Sequence, residues 1–246
     1  MDGEPPPSPR PHAPLAFRFL NLVIRLVVAL TRTRLVVEGV EHLPDLGGVI
    51  VASNHLSIAD PPLICLAIWL ASCRRVRYMA KAEAMETPIM GPALRAYGGF
   101  GVRRGQADRE AYRMSRAVLD TGDWLGLAPE GTRSRTATLG EPMPGVALLA
   151  VRSGAPVLPV GIAGSERTWP IGARRPHFGT TVTVRFGLAI DLQASRSRPD
   201  DAIGAATGAS ATIERVDRRA ALDASTESMM RAIAALLPAR YRGRFG

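Results

Sequence analysis

From Arg34 to Phe186 the chain alternates short apolar runs with stretches whose apolar residues return every three or four positions. The short runs read as strands at Leu35–Glu38, Val49–Ala52, Val76–Met79, Phe100–Arg103, Leu125–Ala128, Val157–Ile162 and Thr181–Phe186. Helical spacing marks Pro61–Ser72, Ile89–Tyr97, Arg109–Thr121 and Val146–Ser153, the last bracketed by Gly145 and Gly154. This alternation predicts an α/β fold in residues 34–193: a single sheet, largely parallel or mixed, covered by helices. Pro159 stands inside an apolar run without an N–H to give a ladder, which predicts an edge or a bulge there. No internal repeat is visible.

Two appendages flank this body. Residues 1–14 are rich in proline and are expected to be disordered. Within residues 15–33, Leu15 to Leu30 is apolar apart from Arg18, Asn21 and Arg25, and Arg32 follows. Those polar positions recur at helical spacing and form one face of an N-terminal amphipathic helix. Its apolar length is short of the roughly 20 residues that span a bilayer. No small-residue cleavage site follows it cleanly, as a signal peptide would require. The wide apolar face predicts a helix lying in a membrane interface, with its arginines toward the headgroups. The alternative is the same face packed on the domain's own core. Residues 194–212 lack apolar periodicity and read as a loop or disordered insert. Residues 213–246 form a C-terminal helix from about Ile213 to Leu237, stopped by Pro238, and a basic tail Arg240-Tyr241-Arg242-Gly243-Arg244.

Charge adds a direction to this picture. The formal net charge is +9. Residues 54–118 hold ten Lys and Arg against five Asp and Glu, and residues 194–246 hold nine against six. Such an excess suits an anionic ligand or an anionic membrane surface. Nucleic acid is a poor fit, because aromatics are only 5% and no RNP, KH or helix-turn-helix pattern occurs. Lys81 is the single lysine among 31 basic residues. It is either a retained functional cation or an ordinary solvated side chain. Cys65 and Cys73, eight apart on one helix, stand roughly 12 Å from each other at 1.5 Å per residue, too far to bridge. With no CxxC and no His/Cys cluster, no metal is expected and a reducing, cytoplasmic setting fits best.

Four constellations carry candidate chemistry. Asn54-His55-x-Ser57-x-x-Asp60 follows a buried strand and precedes an apolar helix, so His55 stands in a turn at a strand's carboxyl end, where α/β folds place reactive groups. A His with an Asp in reach takes a proton from a hydroxyl while the Asp fixes its tautomer. The same Ser57-x-x-Asp60 spacing is also a capping-box-like helix start. Gly98-Gly99-Phe100-Gly101-Val102-Arg103 joins glycines that allow close backbone approach to an arginine suited to phosphate. Its bland reading is a glycine-flanked strand with solvated arginines. Ala128-Pro129-Glu130-Gly131-Thr132-Arg133 crowds a second strand end: Glu130 suits a polyol and Arg133 a phosphate, unless the segment is simply a polar turn. Val157-Leu158-Pro159-Val160-Gly161-Ile162 is the fourth. Neither Gly-x-Ser-x-Gly, a Walker loop nor HExxH occurs, so a serine hydrolase, an NTPase and a zincin are unsupported.

In order and spacing these four blocks resemble the lysophospholipid/glycerol-3-phosphate acyltransferase family over residues 35–190. Its NHxSxxD block is matched by Asn54, His55, Ser57 and Asp60. Lys81, Glu83, Pro88 and Gly91 resemble its Lys-x-Glu, Pro and Gly positions, and Gly99, Phe100 and Arg103 its second block. The third block is Ala128 to Ser134, the fourth ends at Pro159, and Leu237 to Gly243 resembles the ends of bacterial members. Two positions depart: Ala128 replaces the aromatic before Pro129, enlarging that wall of the site, and Pro144 stands where many members carry Lys.

The resemblance implies transfer of a fatty acyl group from acyl-CoA or acyl carrier protein, as co-substrate, to the free hydroxyl of lysophosphatidate. It implies no cofactor beyond that thioester, a peripheral or monotopic membrane protein, and a place at the cytoplasmic face of the cell membrane. His55 is then the general base and Asp60 its partner. Arg103 and Arg133 hold the acceptor phosphate, Glu130, Gly131 and Thr132 the glycerol region, Lys81 adds charge and Phe100 completes the substrate-binding set. The rivals are the same chemistry on another lipid or glycolipid hydroxyl, a thioesterase, and a non-catalytic phospholipid-binding peripheral protein.

Overall fold

The computed structural model describes residues 14–88, 90–102, 107–193 and 209–246. The expectations for residues 1–13, for Arg103 and for residues 194–208 lie outside these. Among the described residues seven strands form one sheet: β1 (Arg34–Glu38), β2 (Ile50–Ser53), β3 (Val76–Lys81), β4 (Phe100–Val102), β5 (Trp124–Leu127), β6 (Val157–Ala163) and β7 (Thr181–Phe186). Their order is β1-β7-β6-β2-β5-β3-β4. β6, β2, β5, β3 and β4 run parallel, β7 pairs antiparallel with β6, and β1 runs parallel to β7. The sheet is mixed, one of the two forms that the alternation predicts.

The central strands are apolar on both faces because helices cover both. Ile50 and Ala52 face a core built with α5 (Ala107–Asp120), α6 (Gly145–Ser153) and α8 (Ala209–Ala235). Val49 and Val51 face the opposite core, built on α2 (Asp60–Ser72) with Leu63, Ile64 and Ile68. In β7 the pattern thins to alternation: Val182, Val184 and Phe186 are buried, while Thr181, Thr183 and Arg185 turn outward.

Three details differ from the sequence expectations. Pro159 lies on β6, an interior strand. Its carbonyl accepts the Gly187 N–H at 2.9 Å, so its missing N–H faces the β7 side just past the Val160–Phe186 pair; pairing resumes at Val157–Ile190 with one extra residue on the β7 side, so the expected bulge is there and the expected edge is not. Short helices α3 (Ala82–Glu86) and α7 (Ser165–Thr168) follow β3 and β6, where no helix was expected, while α4 (Met90–Ala96) before β4 meets the expected helix Ile89–Tyr97. The C-terminal helix starts at Ala209, inside the stretch expected to be irregular.

The N-terminal helix α1 (Leu15–Leu30) corrects the expected polar face. Asn21 is buried, its amide donating to the Phe17 carbonyl at 3.0 Å and accepting from the Tyr97 hydroxyl at 3.3 Å. Phe17 meets Trp69 and Tyr97 edge-on, with centroids 5.1 and 5.2 Å away. The helix is thus anchored on α2 and α4 by one face and leaves Leu15, Phe19, Leu22, Leu26 and Leu30 exposed on the other. No helix among the described residues is long and apolar enough to cross a membrane.

Candidate active site

The carboxyl ends of β2, β3, β5 and β6 meet at one edge of the sheet, and the turn after β2 lies among them. Asn54 fixes that turn. Its side-chain amide donates to the Ile162 carbonyl and accepts the Ile162 N–H, both at 2.8 Å, pairing with β6 as another strand residue would. The chain then turns away through His55 and Leu56 into α2.

Asp60 opens α2 and faces backward. It is 1% exposed, and its Oδ2 accepts His55 Nδ1–H at 2.8 Å, Leu56 N–H at 2.6 Å and Ser57 N–H at 2.7 Å. An acceptor-only carboxylate at Nδ1 places the ring hydrogen there, which leaves Nε2 as the basic nitrogen. The imidazole is partly exposed, at 24% of its side-chain surface. The geometry therefore supplies an oriented base whose partner is locked in the protein. The capping-box-like reading holds in part beside this one: Asp60 reaches back to the Ser57 N–H, and the Ser57 hydroxyl accepts the Ala59 N–H at 3.2 Å while donating to the Trp169 carbonyl at 2.8 Å, although α2 itself starts at Asp60 without a side-chain cap. Ser57 is buried and tied to its neighbours.

Glu130 holds the turn from the β5 side. It is buried, and burial raises its carboxyl above the ordinary glutamate value. Its Oε1 accepts the His55 N–H at 3.2 Å, its Oε2 accepts the Gly140 N–H at 2.9 Å, and the Ser134 N–H donates to the His55 carbonyl at 2.7 Å. Both oxygens expected to meet a polyol are thus engaged by the protein's own amides, and Glu130 is a strut between turn and loop. Gly131, at φ +65°, is exposed beside it, as is Thr132, and Arg133 is half-buried in the same loop. Lys81 is exposed at the end of β3. Phe100 is placed elsewhere, at 5% exposure in the core with Leu125 and Val102, because strand alternation points its ring inward.

A cleft of about 510 Å³ opens at this edge between α5 and α6. Its walls are apolar (Met79, Val102, Leu127, Val146, Leu149), with Lys81, Ala128, Gly131 and Pro144 among the residues at the strand ends. Both positions that depart from the family pattern, Ala128 and Pro144, therefore line the cleft. A second apolar cleft, about 340 Å³, lies between α1, α2 and α4 and is bordered by Ile58 and Ala59 of the turn that carries His55.

Three residues matter that the sequence left without a role. Gly140 gives the amide that fixes Glu130, and Trp169 gives the carbonyl that takes Ser57. Tyr241 joins the tail to the site through Leu139 and Glu166. For Gly140 and Trp169 no periodicity marks the position. The tail's likeness to bacterial members was the signal available for Tyr241.

Comparison with known proteins agrees with this geometry. The chain is 28% identical over 148 residues to a 1-acyl-sn-glycerol-3-phosphate acyltransferase of Borreliella burgdorferi, covering 59% of this chain and 58% of that protein. It is 28% identical over 184 residues to the Pseudomonas aeruginosa protein of the same name, covering 74% of this chain and 67% of that one. A chloroplastic relative from Brassica napus is matched over 48% of its length, so the chain spans about half the length of several relatives it matches. The crystal structure of a 1-acyl-sn-glycerophosphate acyltransferase from Thermotoga maritima shares the fold, with a TM-score of 0.59 at 24% identity over 85% of this chain and 79% of that one. The family model described as Acyltransferase matches residues 34–163, over half of the chain and all four blocks, and the chain belongs to that family.

Proposed function

We propose that this protein moves a fatty acyl group from an acyl thioester, acyl-CoA or acyl carrier protein, to the free hydroxyl of lysophosphatidate, forming phosphatidate. The observation that carries the reading is the His55 Nδ1–Asp60 Oδ2 bond of 2.8 Å at a strand-end edge shared with an apolar cleft. In this reading Nε2 of His55 takes the proton of the acceptor hydroxyl, and the Asp60 carboxylate stabilises the imidazolium. The acceptor oxygen attacks the thioester carbonyl, the C–S bond breaks, and the thiolate leaves with the proton returned from His55. Transfer is direct, since the Ser57 hydroxyl is occupied by Trp169.

The acyl chain of the donor fits the 510 Å³ cleft, whose lining is mostly hydrocarbon. Arg133 and Lys81 stand at the same edge with charge suited to the acceptor phosphate, and Arg103 is assigned with them from its sequence position. Gly131 and Thr132 flank the glycerol region, with Glu130 holding the turn to which they belong. The exposed face of α1 and the 340 Å³ cleft beneath it would give a lipid a route to the turn, which supports a peripheral place on a membrane, with the cytoplasmic face taken from the family resemblance.

The test is thiol release from acyl-CoA and from acyl carrier protein, with lysophosphatidate, an uncharged lysolipid and a glycosylated lipid as acceptors and mass identification of the product. The expected result is acceptor-dependent release, greatest with lysophosphatidate, reduced about 10²–10⁴-fold in His55→Ala. Release without acceptor would make it a thioesterase. Vesicle binding without transfer to any acceptor would make it a binding protein, and full activity in His55→Ala would remove the base assignment.

A further inference from the structure

Resting on that reading, we propose that Tyr241 of the C-terminal tail is a positioning residue that clamps both ends of the catalytic turn. Its carbonyl and its hydroxyl reach the turn by separate routes. The first is main chain. The Tyr241 carbonyl accepts the Leu139 N–H at 2.8 Å, the adjacent Gly140 N–H holds Glu130 at 2.9 Å, and Glu130 holds the His55 N–H at 3.2 Å. The second runs through the side chain. The Tyr241 hydroxyl donates to Glu166 Oε1 at 2.7 Å in α7, the helix that leads to Trp169, whose carbonyl takes the Ser57 hydroxyl at 2.8 Å. His55 and Ser57 are therefore each linked to the same buried tyrosine by two or three hydrogen bonds joined through short stretches of backbone.

The surroundings make the clamp stiff. Tyr241 is 2% exposed and its ring packs in the core beside α8. The Arg240 guanidinium lies 3.1 Å from its hydroxyl and 4.8 Å from its ring centroid. Gly243 sits at φ +56° with the Leu139 carbonyl so close that an added Cβ would lie 2.6 Å from it, so the tail and the loop touch backbone to backbone. Arg244 closes the contact from the other side with Glu141, at 2.9 Å. Glu166 Oε2 is buried without a hydrogen-bond partner, which leaves Oε1 and the tyrosine as that carboxylate's buried anchor.

A clamp acts on the geometry of the base and not on substrate binding. Tyr241→Phe keeps the ring and the main-chain bond and removes the side-chain route alone. The expected result is a fall in kcat of about tenfold, with KM for donor and acceptor within about twofold and a drop in Tm of a few degrees. Glu166→Gln keeps a carbonyl oxygen for the hydroxyl and should retain kcat within about twofold, while Glu166→Leu should match Tyr241→Phe, and the double variant should lose no more than either. Asp123→Asn removes the charge that Asp123 sets against Arg75 and Arg77 at the opposite edge of the sheet and serves as the control. It should lower Tm comparably and leave kcat alone.

A second readout needs no turnover. In protein labelled with ¹⁵N-histidine, the His55 ring signals, identified by their loss in His55→Ala, should shift in Tyr241→Phe and stay in place in Asp123→Asn. Unchanged kcat and unchanged His55 signals in folded Tyr241→Phe would overturn the proposal, as would an equal kcat loss in Asp123→Asn. No acyl transfer by the wild-type protein, together with the His55 shift in Tyr241→Phe, would overturn the acyltransferase reading and leave the clamp standing.

Discussion

Replacing Asp60 by asparagine removes one negative charge and very little else. The asparagine carbonyl can still accept the Leu56 and Ser57 N–H groups, which Asp60 Oδ2 takes at 2.6 and 2.7 Å. Its amide would occupy the place of Oδ1, a buried atom without a hydrogen-bond partner. The turn should therefore keep its shape. What is lost, on the proposed mechanism, is the attraction between the carboxylate and the imidazolium that would form when His55 takes the acceptor proton. For charges about 4 Å apart at an effective dielectric of about 20, that attraction is about 4 kcal/mol, which corresponds to about 10³ in rate. The expected result is a kcat about 10³-fold lower, with both KM values within about threefold and Tm within a few degrees. Asp60→Ala is the contrast. It strands two buried N–H groups at about 1–3 kcal/mol each and should lower Tm visibly as well. Stopped thiol-release assays with acyl-CoA and lysophosphatidate, run beside thermal melts, measure all of these. A kcat for Asp60→Asn within tenfold of wild type would refute the role of its charge, and a loss carried mainly in KM would relocate it to binding.

Three further outcomes follow from other parts of the molecule. Burial raises the Glu130 carboxyl from its ordinary 4.5, so the folded chain keeps that proton where the unfolded chain has released it. Its contribution to stability therefore falls as pH rises from 4.5 through the folded value, and urea midpoints of wild type relative to Glu130→Gln should decline across that window; a constant or rising difference would contradict the burial. Gly126→Ala places a Cβ 2.3–2.5 Å from three ring atoms of Tyr78, in a buried strand. Overpacking of about 1–3 kcal/mol should lower Tm by about 2–12 °C, and an unchanged melt would show that the ring can move aside. Phe19 and Leu26 of α1 are 67% and 53% exposed. If they insert in lipid at about 1.5–3 kcal/mol each, Phe19→Asp with Leu26→Asp should weaken sedimentation with anionic vesicles at least about 10²-fold, leaving Tm unchanged. Undiminished sedimentation would exclude α1 as the membrane contact.

The fold was legible where the physics is local and repeated. Strands such as Ile50–Ser53, buried on both faces, need apolar residues at every position, and such runs stand out. The helices α3 and α7 were not legible, since five and four residues are too few to show a 3.6-residue period. The face of α1 was misread at Asn21 because an amide can bond its own helix at Phe17 and so be buried without a charged partner. In the site, the His55–Asp60 pair was readable because its partners lie five residues apart in one turn. The engagement of Glu130 was hidden because its other partner, Gly140, lies in a loop that no local pattern marks.

The placement of Asp60 shows how the fold and the chemistry depend on the same residues. The helix it opens carries Leu63, Ile64, Cys65, Leu66, Ala67 and Ile68, all buried. That apolar content draws the helix into the sheet, and its first residue goes with it. A carboxylate taken out of water this way is costly unless donors surround it. Here the Leu56 and Ser57 amides and the helix's own amino-terminal dipole supply that compensation before His55 is counted. The bond to His55 is therefore made by a carboxylate that the turn already holds in place, so the imidazole meets a fixed acceptor. A surface aspartate at the same distance would lose most of its attraction to the imidazolium in solvent. In the proposed reaction the hydrophobic run after Asp60 belongs to the apparatus, because it is what keeps the base's partner buried and still.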